Sequence, residues 1–214
     1  MATVAAYIDG FNLFYGMKSK FARKYLWLDV ADLVQRLRPE DDIAVVRYYT
    51  ALVKGEPDAA SRQNHYLEAL QAHCGSVLDV QIGWFKPRKL APCKQCGEDW
   101  LCACPRKVRT FEEKETDVAL AAAMVADVAR GLADLTLLIS ADSDFAPAIR
   151  AVKQVRPEQQ VIMAMPPGNP KPHKRFADLG FFSINETALR RSQLPESVYD
   201  PAIKAVRRRP EKWI

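Results

Sequence analysis

LTLLISADSDFAPAI, residues 135–149, sets an apolar run, two aspartates and the start of a helical pattern in direct succession. Residues 135–140 read as a buried strand, because a short apolar run of this length suits a fully covered strand. Residues 145–155 read as a helix with Pro147 in its first turn, where a missing N–H is tolerated. Asp142 and Asp144 stand at the junction. A strand that feeds a helix is the building unit of an α/β sheet. The same grammar recurs in residues 4–8 (VAAYI), an apolar run that ends on Asp9.

Working outward, strands and helices continue to alternate. Residues 29–37 have helical spacing with Asp29 as N-cap. Residues 44–52 are β-branched and aromatic, a strand. A helix over 61–74 is closed by Gly75, and 77–84 alternates like a half-exposed strand near an edge. Residues 116–132 form a helix opened by Asp117, with Leu120, Ala121, Met124, Val125 and Val128 on one face. Residues 160–165 and 181–184 are the last strands. The alternation predicts a three-layer α/β fold around a mainly parallel central sheet. Residues 86–114, rich in Lys, Arg, Pro and Cys, read as an insert within a domain spanning 1–189. Residues 190–214 read as a charged peripheral tail, ordered only on binding.

Length and composition agree with one domain. A chain of 214 residues, 49% hydrophobic, can fill a sizeable core. The net charge of +5 is mildly basic and weak evidence by itself for a polyanionic partner. Residues 1–8 lack the basic start and apolar length of a signal peptide. The Ala-rich run 118–129 is interrupted by Asp127 and falls short of the ~20 residues that span a bilayer. The cysteines, four of them crowded together, suit a reducing, cytoplasmic compartment better than a disulfide framework. No membrane is expected, and a homodimer is left open.

Asp9, Asp142 and Asp144 follow predicted strands, and ligands of open α/β sheets bind beyond the carboxyl ends of strands. Asp117, at a helix start, can face the same edge. Taken singly, each is equally a turn residue or an N-cap. Together they would repel one another unless a hard divalent cation took their oxygens. An acidic cluster in a basic protein therefore points to metal-dependent chemistry on a polyanion.

Three motifs in order sharpen this. Residues 7–13 (YIDGFNL), 113–120 (EKETDVAL) and 140–149 (SADSDFAPAI) resemble the three motifs of the NYN domain, a branch of the PIN-like nucleases that includes LabA-like proteins. Ala141 stands where the family commonly has glycine. The resemblance covers about residues 4–185 and implies a PIN-like sheet with Mg²⁺- or Mn²⁺-dependent cleavage of RNA. Asp9, Asp117, Asp142 and Asp144 become the metal-binding acids. Asn12 would orient Asp9 or a substrate phosphate, and Ser140 and Ser143 would donate around them. Two alternatives stay open: a catalytically silent RNA-binding module, and a phosphoacceptor domain. The latter is weakened because no acid adjoins Asp9.

Cys93, Cys96, Cys102 and Cys104 put four thiols in the insert. Four thiolates select structural Zn²⁺ in a tetrahedral site, though the Cys-x-Cys half strains joint ligation of one ion. Zinc and a loop of free thiols are both admitted. Lys86, Arg88, Lys89, Lys94, Arg106, Lys107, Arg109 and Lys114 flank the cysteines, with Trp84, Phe85, Trp100 and Phe111 between them. Cations neutralise phosphates and aromatic faces stack unpaired bases. Lys107, Arg109 and Lys114 run directly into the Asp117 motif, which makes them candidate substrate contacts.

Overall fold

The computed structural model describes residues 1–87, 93, 95–97 and 111–213. Strand β1 (Thr3–Asp9) runs through its middle. It pairs in parallel with β2 (Asp42–Ala51) on one side and β5 (Leu135–Ile139) on the other. Beyond β2 lies β3 (Leu78–Pro87), and beyond β5 lie β6 (Gln160–Met165) and β7 (Gly180–Ser183), all parallel. The antiparallel strand is β4 (Phe111–Lys114), which covers the β3 edge and completes a seven-stranded sheet.

Side chains of β1 divide by parity, as a pleated strand requires. Val4, Ala6 and Ile8 enter one apolar layer, and Ala5 and Tyr7 the other. The first layer is closed by α1 (Gly10–Phe21), α2 (Val30–Leu37) and α3 (Pro57–Cys74), through residues such as Leu13, Leu33 and Leu70. The second is closed by α4 (Thr116–Ala129) and α5 (Ala146–Val155), through Leu120, Met124, Ile149 and Val152. This is the three-layer arrangement expected from strand–helix alternation. Covering on both faces explains why β1 and β5 are continuous apolar runs rather than alternating ones. Asp29 caps α2, accepting from the N–H groups of Ala31 (3.0 Å) and Asp32 (2.9 Å), a contribution of about 1 kcal/mol.

A polar bracket pins α4 to the sheet. The Tyr7 hydroxyl donates to Asp127 Oδ2 at 3.0 Å, and Arg47 Nε donates to the same oxygen at 2.6 Å. Arg47 also pairs with Asp79 on β3. One guanidinium thereby links β2, β3 and α4, and Tyr7 adds β1.

Sequence patterning missed several elements. Helix α1 contains two glycines and four aromatic residues and has weak intrinsic propensity. It forms because Asp9 caps it and Leu13 and Met17 are buried. Gly16 is a packing requirement there: a Cβ would lie 2.6 Å from the Pro167 carbonyl oxygen. Strand β4 lies at the end of the stretch read as a loop, so β3 sits one place in from the edge.

The largest correction is at residues 190–214, read as a peripheral tail. Helix α6 (Glu186–Arg191) runs into it, and β8 (Ser197–Asp200) and β9 (Ala205–Arg208) form an antiparallel hairpin packed on α3. Arg207 holds it by pairing with both Asp200 and Glu68. Trp213 is buried against Trp27 and Tyr66. Charge composition masked these anchors, since a single buried tryptophan has no periodicity. Among the described residues no helix is long and apolar enough to cross a membrane.

Candidate active site

The order β3-β2-β1-β5-β6 places a switch point between β1 and β5, where neighbouring connections leave in opposite directions. A crevice opens there at the carboxyl ends of the strands. Asp9 is the last residue of β1 and the N-cap of α1, only 7% exposed. Its Oδ1 accepts from the Asn12 N–H (2.9 Å), and its Oδ2 accepts from the Ser140 hydroxyl (2.9 Å). Ser140 Oγ in turn accepts from the Asp142 N–H (3.0 Å), so one hydroxyl connects both acids. The Asn12 side chain does not hold Asp9. Its Oδ1 accepts from the Ala141 N–H (3.1 Å) and ties the start of α1 to the loop after β5. Ala141 is not among the described non-glycine residues with positive φ, so its methyl group meets no backbone penalty. Asp142 Oδ1 caps the next turn by accepting from the Asp144 N–H (2.9 Å).

Electrostatics set Asp9 apart. Burial raises its pKa above the ordinary carboxylate value, and the charge of Asp142 adds to the rise. The hydrogen bonds from Asn12 and Ser140 oppose it without cancelling it. Among the described residues Asp9 makes no ion pair. Its oxygens accept from Asn12 and Ser140, with a further backbone contact from Phe11. Asp142 Oδ2 accepts no hydrogen bond among the described residues.

The other expected residues fall at varying distances from this unit. Ser143 and Asp144 form the single turn of 3-10 helix that follows Asp142, with Asp144 exposed. Asp117 is exposed on the first turn of α4, a helix that packs against β1 and against that turn. Lys114 ends β4 opposite Trp84. Lys107 and Arg109 lie outside the described residues. Among the described residues, no three His, Cys, Asp or Glu side chains form a group that could hold a metal ion. The donor chemistry of the Asp9–Asp142 pair nonetheless fits Mg²⁺ or Mn²⁺. Such ions are usually held by one or two carboxylates, completed by water and substrate phosphate, rather than by an all-protein cage.

In the insert, Cys93 is buried and Cys96 exposed. The Gly97 N–H donates to the Cys93 carbonyl at 2.7 Å with φ of 75°, a tight turn that needs glycine. Cys102 and Cys104 lie outside the described residues.

Sequence reasoning missed two features of this edge. One is the close approach of Gly10 to β2: a Cβ would lie 2.5 Å from the Tyr49 carbonyl oxygen and 2.9 Å from the Tyr48 hydroxyl. The Asp-Gly pair was its only signal. The other is an aromatic group beside Asp9. Phe11 stacks on Tyr15, with ring centres 6.3 Å apart, and meets Phe85 edge-on at 5.9 Å.

The family model of the NYN domain matches residues 3–185. The 6-hydroxy-3-succinoylpyridine 3-monooxygenase HspA of Pseudomonas putida is 25% identical over 238 aligned positions, covering 97% of this chain and 74% of that protein. The crystal structure of a protein of unknown function from Vibrio parahaemolyticus superposes with a TM-score of 0.52 at 17% identity, covering 86% of this chain and 94% of that one. That likeness is one of fold.

Proposed function

Because the chain belongs to the NYN domain family, which is of nuclease type, we propose that it is a metal-dependent endoribonuclease cutting at the β1–β5 crevice. The observation that carries this reading is Asp9: buried, without an ion pair among the described residues, and bonded through Ser140 to the loop of Asp142. A core acid with no counter-charge is costly, and a bound cation supplies one. Mg²⁺ or Mn²⁺ held by Asp9 and Asp142, with Asp117 and Asp144 alongside, would lower the pKa of attacking water and neutralise the leaving oxygen.

The protein's own groups do the positioning. The Asn12 N–H and the Ser140 hydroxyl fix both oxygens of Asp9. Asn12 locks the loop after β5 to α1, so Asp9 and Asp142 move as one body. Phe11, Tyr15 and the exposed Trp84 offer ring faces beside the crevice, which favours RNA with unpaired bases. Lys114, with Lys107 and Arg109 before it in sequence, would meet the phosphates. A structural Zn²⁺ held by the four insert cysteines would order that basic stretch. Hydrolysis by activated water leaves a 5′-phosphate and a 3′-hydroxyl.

The test is cleavage of labelled single-stranded RNA with Mn²⁺ or Mg²⁺. Asp9→Asn and Asp142→Asn should each remove most of the activity while the fold persists. Cleavage undiminished in excess EDTA, or equal in wild type and Asp142→Asn, would overturn the proposal. RNA binding without cleavage by the wild type would make the chain a silent RNA-binding module. The Pseudomonas relative is named for oxygenating a pyridine. Loss of such a substrate, with oxygen uptake and no RNA cleavage, would move the assignment there instead.

A further inference from the structure

A second site lies on the other face of β2. Helices α1 and α3 and the loop before α2 enclose a cavity of about 170 Å³. An apolar cavity of roughly 150 Å³ accepts a benzene-sized molecule. Its walls include Leu13, Met17, Leu26, Leu67 and the rings of Tyr66 and Trp213.

The polar groups on the wall are not equivalent. The Gln63 side chain donates to Thr50 Oγ1 (3.3 Å) and to the Ala51 carbonyl (3.0 Å), and accepts from the Val53 N–H (2.8 Å). Both residues are therefore satisfied. Tyr48 is 7% exposed, and its hydroxyl makes no hydrogen bond to any described residue. That leaves a phenol able to hydrogen-bond a ligand at the cavity wall. Lys18, Arg23 and Arg62 line the cavity against a single carboxylate, Glu56. Arg23 and Arg62 make no ion pair among the described residues. The lining is thus an apolar chamber, one phenol hydroxyl with no protein partner among the described residues and a surplus of positive charge.

We propose that this cavity binds a single-ring aromatic carboxylate. The ring fills the apolar chamber, a ring heteroatom or hydroxyl meets the Tyr48 hydroxyl, and the carboxylate meets Arg62 and Arg23. Binding here does not depend on RNA cleavage, although Gly10, Phe11 and Tyr15 line this cavity as well as the edge of the Asp9 crevice. The two adjoin because the Tyr48 hydroxyl packs on Gly10, the residue after Asp9.

Calorimetric titration of the full chain tests it, with benzoate and pyridine-3-carboxylate as probes and acetate and phenol as partial analogues. Both ring carboxylates should bind and raise the melting temperature, while acetate should do neither. Leu67→Trp, which fills the chamber, should abolish binding. Arg62→Ala, a rim change that leaves the core intact, should weaken the carboxylates by about tenfold, as expected for a lost charge-assisted hydrogen bond. It should leave phenol unchanged. No binding of either ring carboxylate at millimolar concentration would overturn the proposal, as would binding indifferent to both substitutions. Uridine 5′-monophosphate binding in their place, with the same dependence on Leu67 and Arg62, would also overturn it and make the chamber a base pocket of the RNA groove.

Discussion

Asp9 and Asp127 are both buried acids bound up with strand β1, and the protein treats them in opposite ways. Asp127 is 2% exposed and meets Arg47 through two nitrogens, with Tyr7 donating as well. Asp9 is nearly as buried, yet it receives only neutral donors, and another acid stands beside it. A carboxylate needed only for architecture is given a fixed cation. One left without a cation costs stability, which marks it as the candidate site. The difference separates a strut from a site more sharply than burial does.

The contrast breaks first, and with the largest effect, at Asp127. Asp127→Ala leaves Arg47 half-buried and the Tyr7 hydroxyl unsatisfied, and should cost about 3–5 kcal/mol in urea denaturation. RNA cleavage per folded molecule should survive. A loss of under ~1 kcal/mol, the scale of an exposed pair, would mean that Asp79 alone satisfies Arg47.

Asp9→Asn should do the reverse, losing most cleavage while folding at least as stably as wild type near neutral pH. The sign follows from the raised pKa of Asp9. The native state binds a proton there more readily than the unfolded chain. Wild-type stability therefore falls as pH rises from the ordinary Asp value through the raised one. The Asn variant lacks that fall, and Mn²⁺ should lift the melting temperature of wild type only. Melting curves across pH, with and without Mn²⁺, check both halves.

Ser140→Ala sharpens the comparison further. It removes the hydroxyl between the two acids without touching a charge. Activity should drop about 10–100-fold, as for lost outer-sphere support of a metal ligand, with roughly 1 kcal/mol of stability. Retained activity would show that Asn12 alone orients Asp9.

The smallest effect concerns the entry of β1. Asp41 accepts from the Ala2 N–H, and Asp134 from the N–H and hydroxyl of Thr3. These bonds hold both carboxyls below the usual range. Their support is present above the ordinary Asp value and is lost as pH falls through the lowered one. Hydrogen exchange at Thr3 should quicken only in stronger acid, after the Asp9 edge has taken up its proton.

How much of this was legible depended on the range of the signal. Strands β1 and β5 and helices α2 and α5 announce themselves through local apolar spacing and caps, and so does the position of Asp9 and Asp142. The bracket of Arg47 with Asp127 was not legible, because Arg47 sits unremarked in a strand pattern and Asp127 reads as an interruption in a helix. The anchoring of Trp213 was hidden for the same reason: its partners, Trp27 and Tyr66, lie far away in sequence. The place of Tyr48 on a cavity wall is visible only once α1 and α3 are around it.

The bond from Ser140 to Asp9 spans 131 residues. A ribosome adding about 5–20 residues per second takes on the order of ten seconds to make that stretch. Until then β1 has no right-hand neighbour, and half of the crevice has not been synthesised. Parallel pairings over such separations are also slow to form, since chain closure precedes any reward. A nascent chain therefore carries Asp9 long before it can assemble the crevice with Asp142. Whatever chemistry this edge performs is postponed until the sheet closes.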